Sequence, residues 1–303
     1  MTRLSSIAAV VLVLTGGLTS AQERVAEHWD EDKLSRPTYQ VRMEHNVPVP
    51  MRDGVTLSTD FYLPDAEERF PTLLTRTPYS NNSEGQVARS RWFAERGYVV
   101  VTQDIRGKYD SDGKFYTYRH EADDGYDTNE WIGAQPWSDG KIGTLGGSYV
   151  GYTQLTQAVR KSGYLKAVAA SVTTSDIYNN WTYVDGALHY GFVLPWGAIS
   201  TDGRVGQYTQ AYDWPSVFRH LPIATADAAA SHVNQTYRDW LAHPRSDDPY
   251  WDGISFESEI ADVDVPMLIV DGWYDIFLRG ALSKTTSGYA RRARRSSRGA
   301  ESV

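Results

Sequence analysis

The chain is 303 residues long, contains no cysteine and carries a formal net charge of −8, with 41% hydrophobic and 22% charged residues. That composition can bury a core and is not that of a disordered polymer. It excludes a disulfide framework, thiolate metal sites and a cysteine nucleophile, and the acidic balance argues against a nucleic-acid partner held through phosphates.

The first 21 residues stand apart. Arg3 precedes the apolar run Ile7 to Leu14, and Thr19-Ser20-Ala21 follows ahead of Gln22. This is the layout of a secretory signal peptide over residues 1–21. The run is shorter than the roughly 20 apolar residues a bilayer span needs, and no later stretch qualifies. The mature protein is expected to be secreted or periplasmic, with no membrane span.

Strands and helices then alternate. Tyr39 to Val47 reads as a strand, Met51 to Gly54 as an Asp-Gly turn, and Val55 to Leu63 as the returning strand. Pro71 to Thr75 is a short buried strand. Gln86 to Glu95 is a helix closed by Gly97, and the β-branched run Tyr98 to Thr102 is a strand buried on both faces. Glu121 to Ile132 and Tyr149 to Lys161 read as helices around the strand Lys141 to Leu145. Leu165 to Val172 and Val265 to Val270 complete a mostly parallel sheet with helices on both faces. The core is thus expected over 22–174 and 263–285. Residues 175–262, rich in Trp, Tyr, Asp, Asn and Gly, interrupt it as a cap with helical pieces such as Asp227 to Ala242. The segment 286–303 reads as a disordered tail. From Lys284 on, six basic residues face only Glu301.

The strongest chemical signal is Gly146-Gly147-Ser148-Tyr149-Val150-Gly151, between a strand and a helix. Small residues there permit the tight turn that lifts a serine nucleophile above a sheet, and the helix start aims N–H groups at a developing oxyanion. In the usual Gly-x-Ser-x-Gly spelling Val150 takes the last glycine position, with Gly151 one later. Arg76-Thr77-Pro78-Tyr79 follows an early strand, and Tyr79 could lend its phenolic O–H to the same oxyanion. Val270-Asp271-Gly272-Trp273-Tyr274-Asp275 ends a late strand and offers two acids, Asp271 and Asp275. Asp110-Ser111-Asp112-Gly113 has too few acids for a calcium loop and reads as a polar turn. No metal or cofactor is expected. The base is missing: all seven histidines, His28, His45, His120, His189, His220, His232 and His243, precede Asp275. In a Ser–Asp–His order the histidine comes last.

Together with Met51 to Leu57, Phe61 to Pro64 and Asp104-Ile105-Arg106-Gly107, these strings resemble the Xaa-Pro dipeptidyl-peptidase family, which includes cocaine esterase, glutaryl-cephalosporin acylases and α-amino acid ester hydrolases. The resemblance covers roughly residues 40–285. It implies an α/β-hydrolase sheet with an inserted helical cap and a secreted serine hydrolase acting on a small-molecule ester or amide. By motif match, Ser148 is the nucleophile, Asp275 the acid, and Tyr79 O–H with Tyr149 N–H the oxyanion hole. The family's later histidine and C-terminal jelly-roll have no counterpart here. A truncated, catalytically impaired member or a binding protein is therefore the alternative, and an uncovered apolar surface would favour a homo-oligomer. Asp275 is followed by apolar Ile276, Phe277 and Leu278, so only Asp185 remains as a carboxylate for a substrate ammonium. A neutral or aromatic acyl group is expected, with Trp181, Tyr183, Trp196 and Phe277 as pocket walls.

Overall fold

The computed structural model describes residues 34–200, 203–206, 213–230 and 232–282. The expected signal peptide over 1–21 and tail over 286–303 lie outside the described residues. The chain divides into two compact units, Met1–Pro37 and Thr38–Val303, and all that follows concerns the second.

Its sheet is built from β1 (Val41–Pro50), β2 (Thr56–Pro64), β3 (Phe70–Thr77), β4 (Val99–Asp104), β5 (Ser138–Gly147), β6 (Leu165–Ser171) and β9 (Met267–Val270), with β7 (Tyr183–Val184) and β8 (Ala187–Leu188) forming a separate hairpin. The strand order is β1-β2-β4-β3-β5-β6-β9. β1 and β2 run antiparallel, and β2 meets β4 antiparallel; every pairing from β4 through β3, β5 and β6 to β9 is parallel. The Asp-Gly turn closes β1 onto β2, with Gly54 at φ +86° and its N–H on the Met51 carbonyl at 3.0 Å.

Alternation along β4 explains the layering. Val99 and Val101 face one side, where they meet Phe61, Leu74 and Ile132 of α2 (Glu121–Gly133). Val100 faces the other, against Tyr62 and Ala94 of α1 (Glu84–Ala94). With both faces covered, the strand has to be apolar throughout. The cap segment differs in detail from expectation. Between Asp227 and Ala242 the helix is broken into Ala226–Ala229 and α4 (Gln235–Ala242), because the Asn234 side chain accepts the Tyr237 N–H and starts a new helix there.

Helix α3 (Tyr149–Ala158) lies closest to the sheet, and its approach is limited by glycine. A Cβ on Gly146 would stand 2.3 Å from the Val150 side chain, and one on Gly151 would stand 2.9 Å from the Ser171 carbonyl oxygen. Val150 thus occupies the motif's usual glycine position by leaning over Gly146, while Gly151 takes the close backbone contact with β6.

Gly151→Ala should therefore cost about 1–3 kcal/mol of stability, since the backbone of β6 cannot retreat. Thermal unfolding of the variant checks this, and an unshifted midpoint would contradict it. A second expectation comes from two buried carboxyls. Asp104 is 1% and Glu121 2% exposed, and burial pushes both pKa values up to about 7 from 3.8 and 4.5. The folded chain then holds more protons than the unfolded chain between about pH 4 and 7, so stability falls as pH rises through that window. His120, lowered by its partial burial, acts in the opposite sense but sits at the surface. The melting midpoint should be higher at pH 5.5 than at pH 8, a comparison made by calorimetry in matched salt.

Candidate active site

Ser148 sits where β5 ends and α3 begins, at φ +59° and ψ −129°. A non-glycine residue at positive φ is strained and persists only where its surroundings enforce it. The enforcement is visible on both sides. The Ser148 N–H donates to the Ser171 carbonyl at 3.0 Å, extending the β5–β6 ladder, and the Ser148 carbonyl accepts the Tyr152 N–H at 2.9 Å, starting the helix. The turn presents the serine side chain above the carboxyl ends of the parallel strands, where sites in such sheets form.

Tyr79 reaches the same point from the loop after β3. Its hydroxyl lies close enough to the Ser148 side chain for the serine to offset part of the burial that raises the phenol's pKa. The Trp196 indole N–H donates to the Tyr79 oxygen at 3.1 Å. Tyr79 is 39% exposed, and desolvation by the groups packed around its hydroxyl is the largest influence on it, raising its pKa to about 12. The phenol therefore keeps its proton at neutral pH. Trp196 was expected only as a wall; its hydrogen bond to Tyr79 could not be read from sequence, because the two lie 117 positions apart.

The Tyr149 side chain points away from the cleft into the core. Its hydroxyl donates to Glu121 Oε1 at 2.8 Å and accepts the Tyr118 N–H at 3.0 Å. Asp275 lies in the loop after β9. Its N–H donates to the Gly272 carbonyl at 3.0 Å, and its Oδ1 accepts the Phe277 N–H at 2.8 Å. The alternative acid, Asp271, accepts the N–H of the adjacent Gly272 at 2.7 Å.

Four of the expected wall residues part company. Trp181, fully buried, stacks on Phe277 at 4.3 Å and contacts Trp196 at 5.0 Å. Trp196 in turn lies 6.0 Å from the Tyr149 ring, so Trp181, Trp196 and Phe277 join one aromatic cluster with α3. Tyr183 does not join it. Its ring stacks on Tyr178 at 4.7 Å and its hydroxyl donates to the Trp240 carbonyl at 2.8 Å, which places it in the core of the cap. Asp185, at the tip of the β7–β8 hairpin, is exposed and ion-paired with Arg279 at 2.7 Å.

Among the described residues, the histidine partners lie elsewhere. His45, His220 and His243 bond Asp60, Thr225 and Asp248. The ring of His189 packs on Phe192 at 5.3 Å with its Nδ1 buried and unbonded. No group of three or more His, Asp or Glu side chains among the described residues could hold a metal ion, and no helix there is long and apolar enough to cross a membrane.

Comparison with known proteins identifies the family. The chain is 35% identical over 257 residues to cocaine esterase of Rhodococcus sp. (strain MB1 Bresler), an alignment covering 78% of this chain and 45% of that protein. An aminopeptidase from a marine sediment archaeon superposes with a TM-score of 0.68 at 27% identity, over 84% of this chain and 46% of that one. An α-amino acid ester hydrolase superposes with a TM-score of 0.69 at 24% identity, over 86% of this chain and 47% of that one, a likeness of fold. The chain spans about half the length of each of these proteins. With the mixed, mostly parallel sheet and the serine turn in the α/β-hydrolase arrangement, and with residues 53–288 matching the X-Pro dipeptidyl-peptidase (S15) pattern, the chain belongs to that family.

Proposed function

We propose that this protein is an exported serine hydrolase that cleaves an ester or amide by acyl transfer through Ser148. The observation that carries the reading is Ser148, held at positive φ in the tight turn between β5 and α3, with Tyr79 nearby. Ser148 Oγ attacks the substrate carbonyl carbon and its proton passes to a histidine base oriented by Asp275. That histidine returns the proton to the leaving alkoxide or amine, and water then repeats the sequence on the acyl-enzyme. As the tetrahedral oxyanion forms, the Tyr79 O–H and Tyr149 N–H take its charge. Trp196 supports this role: by donating to the Tyr79 oxygen it leaves the Tyr79 proton free to point at substrate. The pairing of Asp185 with Arg279 favours a neutral or aromatic acyl group over an ammonium-bearing one.

A second reading has one specific observation behind it. His45, His220 and His243 are bonded to Asp60, Thr225 and Asp248, and the His189 ring packs on Phe192; on this reading the 303 residues bind and react at Ser148 without efficient turnover. Loss of the triad base costs on the order of 10⁶ in turnover, because serine and histidine act as a unit.

Incubation with a fluorophosphonate followed by peptide mass spectrometry should place the adduct on Ser148, with none on Ser148→Ala. An unmodified Ser148 peptide would remove the hydrolase reading. Tyr79→Phe should slow modification about 10²-fold, the usual cost of one oxyanion donor. Turnover separates the two readings: rapid hydrolysis of an aryl ester that Ser148→Ala abolishes rejects the impaired form. Export is checked by Edman sequencing of protein recovered outside the cytoplasm, which should begin at Gln22; a Met1 terminus would exclude processing after Ala21.

A further inference from the structure

Beneath the serine turn lies a buried carboxylate that the mechanism above does not use. Glu121, the first residue of α2, accepts the Tyr149 hydroxyl on Oε1 at 2.8 Å, and its Oε2 pairs with Arg76 Nη2 at 3.5 Å. Arg76 Nη1 also donates to the Glu121 backbone carbonyl at 2.8 Å, and the guanidinium is fixed further by its Nε on Gln103 Oε1 at 2.8 Å. Asp124 is a weaker competitor for Arg76. It lies 3.9 Å away and is engaged by Arg106 at 2.6 Å.

The two partners of Glu121 have a common meaning. Arg76 stands at the end of β3, three residues before Tyr79. Tyr149 is the residue next to Ser148, and in the proposed mechanism its backbone N–H is one of the two oxyanion donors. One side chain therefore spans the two segments that must converge on the same oxygen. A single link between β3 and α3, the Thr153 hydroxyl on the Arg76 carbonyl at 3.1 Å, runs parallel to it. We infer that Glu121 is a positioning residue that sets the spacing between the Tyr79 and Tyr149 sides of the oxyanion pocket, an inference that rests on the serine-hydrolase reading.

Stability alone gives little reason for an acid here. Burial pushes the Glu121 pKa up to about 7, a sign that its charge is poorly accommodated, and a buried ion pair is often no more stable than apolar packing of equal volume. Geometry gives a reason. A displacement of about 1 Å near reacting atoms can cost 10²-fold in rate.

Three variants read this out: Glu121→Ala, Glu121→Gln and Tyr149→Phe, which keeps the ring and the backbone N–H. With the fluorophosphonate, Glu121→Ala and Tyr149→Phe should each lower the maximal rate of Ser148 modification about tenfold, with the half-saturating probe concentration unchanged. The double variant should be no slower than either single one, since both cut the same link. Glu121→Gln, whose amide oxygen can still accept from Tyr149, should recover most of the rate. Single variants within twofold of the parent, or multiplicative effects in the double variant, would overturn the inference. If the parent chain is not modified at all, the hydrolase reading fails and crystal structures decide this one. The distance from Tyr149 N to Tyr79 Oη should change by about 0.5 Å or more in Tyr149→Phe, the tolerance of a working site, and an unchanged distance would refute it.

Discussion

The close approach of α3 to the parallel sheet sets the terms for the rest of the molecule. Without side chains at Gly146 and Gly151, the helix can come down onto β5 and β6 until backbone meets backbone. The turn between strand and helix is then too short for an ordinary conformation, and Ser148 is forced to φ +59°. The strain is local, but what resists it is not. The ladder to Ser171 and the first turn of α3 both have to hold for the serine to stay raised.

Polar side chains under that turn extend the constraint outward. Arg106 joins Asp124, at 2.6 Å, to Asp53, at 2.7 Å, in the β1–β2 turn. Arg76 and Glu121 continue the alternation of charge toward Tyr149. Gln103 accepts from Arg76 and Thr128, and Gln157 accepts from Asn129, while Arg76 Nη2 and Glu121 Oε2 face each other without a closer hydrogen-bond partner. Such a network is exacting, because each member left without its partner would be a buried polar group with a full desolvation cost. The antiparallel hairpin, the sheet and α3 are thereby held in one register.

Much of this was legible in the sequence, and the exceptions have physical causes. The run Val99 to Val101 announced a strand covered on both faces, and the Gly-Gly-Ser turn announced its own geometry, because in each case the signal is local. The split between Ala229 and Gln235 was missed because apolar periodicity continues across it; only the capping preference of Asn234 marks the break. Tyr183 and Trp196 looked alike as aromatic residues of the cap, yet one packs inside it and the other bonds Tyr79. Composition cannot separate them, since one sits on the β7 strand and the other on a helical segment, and the tertiary fold decides what each ring meets. Glu121 gave no signal at all. An acid at the start of a helix is ordinarily a solvated group favoured by the helix dipole, and only the tertiary fold buries this one.

The stack of Phe277 on Trp181 has a bearing on how the pocket can diversify. Phe277 is bound through its own N–H to the Asp275 carboxylate, while Trp181 belongs to the cap. The surface that would select an acyl group and the acid that would align a base therefore share one aromatic contact. On the proposed reading, a substitution at either ring would also disturb the segment that holds Asp275. Phe192 packs on both Trp196 and Phe277, so on the proposed reading a change of acyl preference would run through its ring rather than through Trp196, which bonds Tyr79, or through the Trp181–Phe277 pair.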